Sequence, residues 1–191
     1  MFDRIKIKGR VTVQVFDGYG KLKRRKRGFL RRLFGLAGGL MVCEFHNIVT
    51  RGGDALIADA LLAVPLRRKV AGDDGFIQVG TGWSGENVKE NSGCNAPTGY
   101  AQKLDGGFPA LKEAWGGGGD AGGNAGESTT VVYRATFNAG ALDAQGINEA
   151  CLLNGSGGDA DCLAYARITP DVNVTSADTL QVLWEITILG Q

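Results

Sequence analysis

Two segments near opposite ends of the chain carry an apolar residue at every second position. Ile5, Ile7, Val11, Val13 and Val15 alternate with Lys6, Lys8, Arg10, Thr12 and Gln14. Leu180, Val182, Trp184, Ile186 and Ile188 form a second such set within Thr179–Leu189. Successive side chains of a strand point to opposite faces, so a period of two places each set on one buried face. Strands are therefore expected over residues 4–16 and 179–189. Shorter runs predict further strands at Val42–Phe45, Phe76–Val79, Thr130–Asn138, Ile147–Leu153 and Cys162–Ile168. A single helix is expected at about 51–63. Leu56, Ile57, Ala60 and Leu61 share its apolar face, Thr50 caps it, Asp54 suits its first turn and Pro65 stops it. The pattern predicts a mainly β protein: an antiparallel β-sandwich, jelly-roll-like, with one short helix and long Gly-rich loops.

Composition supports that class. Glycine supplies 31 of 191 residues against 4 prolines, with no G-X-Y period, which excludes collagen and favours turns and loops between strands. Seven of the eleven residues from Gly116 to Gly126 are glycine, and that stretch is expected to be a mobile loop. A 43 % hydrophobic chain of this length can bury a core without disulfides or metal. No run of about 18 apolar residues occurs, so no membrane-spanning helix is expected. Met1–Lys6 lacks the apolar stretch of a signal peptide.

The formal charge of +1 conceals a strong asymmetry. Residues 1–32 hold twelve Lys/Arg against two acids, a net of +10. The other 159 residues hold nine Lys/Arg against eighteen acids, a net of −9. Such a split indicates a partner for the basic part: nucleic acid, a membrane surface, or an acidic protein face that includes another copy. The chain divides into an N-terminal β-hairpin with a basic insertion (residues 1–45, insertion about 17–41) and a β-sandwich module (residues 46–191). The basic arm comprises Lys21, Lys23, Arg24, Arg25, Lys26, Arg27, Phe29, Leu30, Arg31, Arg32, Leu33 and Phe34. Leu30, Leu33 and Phe34 are helically spaced among arginines and need burial, which points to packing at a protein interface.

Other motifs carry less chemistry. Gly80-Thr81-Gly82-Trp83-Ser84-Gly85 matches G-x-G-x-x-G, but Glu86–Gly93 lacks the apolar face of a helix that would hold a pyrophosphate. It reads as a glycine turn. Cys43, Cys94, Cys151 and Cys162 form no CxxC and read as buried free thiols. A hairpin turning on Gly155–Gly158 would set Cys151 opposite Cys162 and permit a disulfide, an alternative that spacing leaves open. The lone His46 has no converging nucleophile and carboxylate and reads as structural. Gly72-Asp73-Asp74-Gly75 and Gly158-Asp159-Ala160-Asp161 lack the ligand count of a calcium loop. No catalytic, cofactor-binding or metal-binding residue is assigned. Trp83, Tyr100 and Trp115 fall in the irregular region and can serve as glycan or surface contacts.

The order of several short segments resembles the attachment module at the N-terminus of tail-collar and tail-fibre proteins of tailed bacteriophages. The segments are Asn47–Ala58, Ile77–Gly82, Ala96-Pro97-Thr98, Tyr133–Phe137, Ile147–Asn154, Ala164–Ile168 and Thr179–Ile188, and they cover about residues 45–189. Ala150 departs from the glycine usual after the glutamate of that pattern, and no fibre shaft follows Gln191. The resemblance implies a stand-alone, non-enzymatic virion structural protein, an assembly or attachment subunit on the tail or neck. Its expected partners are other virion proteins, of the tail, neck or major capsid, and further copies of itself. Its expected place is the virion, after synthesis in the host bacterial cytoplasm. A capsid decoration or cement protein of the same fold is the nearest alternative. A nucleic-acid contact protein acting through the arm and a carbohydrate-binding module are the others.

Overall fold

The computed structural model describes residues 5–23, 42–86, 88–112 and 129–190. Nine strands follow in chain order among them. They are β1 (Ile5–Phe16), β2 (Val42–Val49), β3 (Phe76–Gly80), β4 (Gln102–Lys103), β5 (Ala110–Leu111), β6 (Thr130–Phe137), β7 (Ala144–Leu153), β8 (Cys162–Val174) and β9 (Thr179–Gly190). One helix, α1, spans Arg51–Asp59. The strands form two antiparallel sheets in a sandwich-like arrangement, in the continuous order β4-β3-β7-β8-β2-β1-β9-β6-β5.

The two period-two segments lie side by side. β1 pairs with β9 along its whole length, from Ile5 opposite Gly190 to Phe16 opposite Thr179. Val11, Val13 and Val15 from β1 and Leu180, Val182 and Trp184 from β9 are buried together. The facing sheet contributes Ile77, Val79, Ile147, Ala150, Leu152, Ala164 and Ile168. Burial of these side chains is the main favourable term for the fold, at roughly 1.5–3 kcal/mol for each large aliphatic residue. β2 joins the sheets: Val42–His46 pairs with β1, while Asn47–Val49 pairs with β8. The strands of the N-terminal hairpin are thus internal members of the sheet order.

α1 follows β2 directly. The Thr50 hydroxyl accepts from Gly53 N at 3.0 Å, the expected cap, and donates to the Cys162 carbonyl. This ties the helix start to β8. The expected stop at Pro65 is not where the helix ends. It ends at Asp59, whose carboxylate accepts from Leu66 N and Arg67 N, both at 3.0 Å. Those two bonds close a loop over residues 60–65, with Pro65 inside it and six residues beyond the helix end.

β7 and β8 are buried in continuous runs, Glu149–Leu153 and Cys162–Ala166, where alternation would be expected of a sheet with one wet face. Their second face carries Cys151, Leu153, Cys162 and Tyr165, covered by Phe76, Trp83, Val88, Cys94 and Ala101. Residues 83–101, weakly patterned in sequence, act as a lid of irregular chain over this face. The glycine-rich stretch at 116–126 lies outside the described residues.

Candidate interaction site

The densest polar cluster lies under that cover. β7 carries Glu149, fully buried, opposite Gly80 on β3 and Arg167 on β8. Its Oε1 accepts from Gly82 N and Ala96 N, both at 2.9 Å. Its Oε2 accepts from Asn95 N at 3.0 Å and from the Tyr165 hydroxyl. Neighbouring Asn148 accepts from Trp83 N at 3.0 Å. A Cβ on Gly80 would stand 2.4 Å from both Ala96 O and Glu149 Oε1, and one on Gly82 would stand 2.5 Å from Ala96 N. The glycines let the carboxylate reach main-chain amides that a side chain would cover. The G-x-G-x-x-G segment is therefore a turn gripped by a glutamate, and a short 3₁₀ turn (Val88–Glu90) follows it where a dinucleotide site needs an α-helix.

Trp83 stacks on Tyr165, with ring centroids 5.1 Å apart and planes 16° from parallel. Asn95 Nδ2 donates to the Tyr165 oxygen at 3.3 Å and to Gly82 O at 3.2 Å. Burial, reinforced by the hydrogen bond to Glu149, raises the Tyr165 phenol well above its ordinary range, so it stays a neutral donor. Each Glu149 oxygen already accepts two hydrogen bonds. The arrangement holds residues 80–97 against the sheet and keeps its hydrogen-bonding capacity within the fold.

Cys94, Cys151 and Cys162 sit beside this cluster as free thiols. The register corrects the pairing behind the disulfide alternative. Cys151 faces Tyr165 in the same register that sets Leu152 opposite Ala164, and beyond a shift at Leu152/Leu153 it is Leu153 that faces Cys162. Burial pushes the Cys94 and Cys151 thiols upward, which keeps them protonated and unreactive. The Cys43 and His46 side chains lie outside the described part of the structure.

The described root of the basic arm is fixed. Asp17 Oδ1 accepts from Tyr19 N at 3.0 Å and Lys21 N at 2.9 Å. Lys23 N donates to Val15 O at 2.7 Å, and the Lys23 ammonium pairs with Asp178. The arm thus leaves the body beside the β8–β9 turn. Arg24, Arg25, Lys26, Arg27, Phe29, Leu30, Arg31, Arg32, Leu33 and Phe34 lie outside the described residues, as does Trp115. Of the candidate contact aromatics, Trp83 is half-covered by Tyr165, and Tyr100 is 92 % exposed with no ring contact to Trp83.

The acidic turns are engaged by cations. Lys103 pairs with Asp73, Arg68 with Asp159 at 2.9 Å and with Asp74 at 4.0 Å, and Arg67 with Asp161 at 2.7 Å. Asp54, Glu90, Asp105 and Glu185 are paired as well. Much of the negative charge of residues 33–191 is therefore matched within the same chain.

Two features escape the sequence reading. Glu149 stands out there only within the resemblance, since nothing local signals that its acceptors lie on residues 82 and 95–96. Leu61, Leu62, Val64 and Leu66, which an extended helix would partly bury, are exposed on a loop after α1. Their signal was the apolar run Leu61–Leu66 just before Arg67-Arg68-Lys69. Among the described residues no helix is long and apolar enough to cross a membrane. No family model, curated protein or solved structure matches the chain.

Proposed function

We propose that this chain is a non-enzymatic structural protein of a tailed-phage virion, an assembly or attachment subunit on the tail or neck. The observation that carries the reading is where its polar chemistry is spent. Glu149 is saturated by four donors, three thiols are packed into the fold, and among the described residues most surface carboxylates are ion-paired. What the body exposes is contact chemistry, Tyr100 and four aliphatic side chains at 61–66, and the sequence adds the basic stretch that begins at Lys21. The segments of the phage resemblance also meet in space. Glu149 of one holds Gly82 at the end of another, Asn148 holds the adjoining Trp83, and Thr50 of a third bonds to β8.

Quantitative mass spectrometry of purified particles tests this. The chain is expected in intact virions at about a dozen copies, as a ring-forming tail or neck component requires. Hundreds of copies would favour the capsid decoration alternative. Its absence from the particle would sink both.

A second reading has one observation behind it. Residues 21–32 concentrate eight Lys/Arg with no acid between them, a density of like charge that suits an external polyanion. Binding through about eight neutralised phosphates falls steeply with salt. A gel shift on duplex DNA at low salt would support it, and no shift would remove it.

A further inference from the structure

The loop after α1 holds its most apolar side chains in water. Leu61, Leu62, Val64 and Leu66 are exposed to 85, 49, 74 and 85 %. The loop is clamped in this posture. Asp59 closes its base through Leu66 N and Arg67 N. Arg67 and Arg68 then pair with Asp161 and Asp159, and Asn154 Nδ2 donates to Arg68 O at 3.0 Å. This fixes the base to the β7–β8 turn. An apolar crest presented on a fixed frame gains nothing in an isolated chain, because the hydrophobic effect opposes its exposure.

A cavity of about 260 Å³ adjoins the crest, walled by Leu56, Ile57, Ala60, Pro65, Val70 and Tyr133. Burial alone lifts the Tyr133 phenol to about 12. A cavity of about 150 Å³ admits a benzene ring, and small-molecule sites span roughly 300–1,000 Å³. This one matches one or two aliphatic side chains. Ala60 and Pro65 line the socket and flank Leu61–Val64 in the chain, so the wall of the socket is the root of the crest.

We propose that this face is a contact between two copies of the chain, with the crest of each seated in the cavity of the other. Convex and concave apolar surfaces lie side by side on one patch, so a single two-fold rotation fills both sockets. The four crest residues expose on the order of 500 Å², over half of the ~800 Å² that each partner contributes to a standard interface. The socket walls add to that area. Charge at the rim also suits a second copy. Arg67 and Arg68 are paired with their own aspartates, and Lys69 shares the cavity lining with the Asp59 carboxylate, so two rims meet with little net charge. The same pairing weakens any attraction to an anionic bilayer. The contact stands independently of the virion reading.

Sedimentation velocity of the full chain from about 1 to 100 µM tests the proposal. A concentration-dependent dimer is expected. Leu61→Asp with Leu66→Asp should raise its dissociation constant at least 100-fold, with circular dichroism unchanged. Leu61→Ser with Leu66→Ser provides a milder pair, expected to weaken the dimer in the same direction. Neutralising Arg24, Arg25 and Arg27 to Gln should leave the dimer intact. A wild-type monomer at the highest concentration would overturn the proposal. So would a dimer that survives the crest changes, or one abolished by the arm changes alone. A monomer that sediments with phosphatidylglycerol vesicles would assign the crest to lipid and equally overturn it.

Discussion

Tyr165 donates its phenolic hydrogen to Glu149, and the two side chains form the centre of the cluster that holds residues 80–97 on the sheet. Tyr165 adds the platform for Trp83, while Glu149 gathers the amides of Gly82, Asn95 and Ala96. Removing the carboxylate leaves three main-chain donors without their acceptor. Glu149→Ala is expected to destabilise the protein by on the order of 3 kcal/mol, since hydrogen bonds to a charged group contribute about 1.5–3 kcal/mol each and do not sum fully. Glu149→Gln should cost less but still be destabilising, because its NH₂ would face donors. Urea unfolding measures both, and limited proteolysis should show faster cutting within 83–96.

Gly80 is expected to tolerate no side chain. A Cβ there would overlap Ala96 O and Glu149 Oε1, each at 2.4 Å. Gly80→Ala should cost about 1–3 kcal/mol through overpacking. Gly106, with no neighbouring atom within 4 Å of an added Cβ, is the control. Gly106→Ala should change stability by less than about 0.5 kcal/mol. Equal effects at the two sites would refute the tight approach of residue 96 to the β3 end.

Asp178 makes the root of the arm sensitive to acid. Burial opposes its ionisation, but the Lys23 ammonium and the amide and hydroxyl of Thr175 outweigh burial and hold the carboxyl below its usual range. The folded state therefore favours the ionised form more than the unfolded chain does. That contribution is complete above the ordinary aspartate value of about 3.9 and is lost as pH falls through the lower folded value. Melting temperature should fall through this window in the wild type, and Asp178→Asn should flatten the component. A profile identical in both proteins would rule out the linkage.

The thiols are expected to respond to unfolding rather than to reagent concentration. Cys151 and Cys162 are fully buried, and burial holds the Cys151 thiol in its protonated form. At pH 8, iodoacetamide should leave both unmodified in the native protein and label both in urea, as read by peptide mass mapping. A Cys151–Cys162 disulfide in the non-reduced digest would contradict the free thiols of this structure.

What the sequence by itself determined is local. The period of two at Ile5–Val15 and Leu180–Ile188 specifies strands with one buried face, and β1 and β9 occupy those residues. Thr50 caps the helix as its hydroxyl and position require. These properties follow from chain geometry within a few residues, so they are legible without a tertiary structure. The charge asymmetry is legible too, but the ion pairs that match much of the acidic charge are not, because Arg67 and Asp161 are 94 positions apart.

Only the tertiary structure decided the rest. Glu149 is a site because the fold brings Gly82 and Ala96 to it across separations of 67 and 53 residues. Residues 83–101 are ordered by packing on Cys151, Leu153 and Tyr165, which gives β7 and β8 a second buried face and erases their alternation. The helix stops at Asp59 because that carboxylate finds the amides of Leu66 and Arg67, and this turns an apolar run outward as a crest. In each case the deciding contact lies outside the element that makes it, and sequence periodicity reports only on neighbours along the chain.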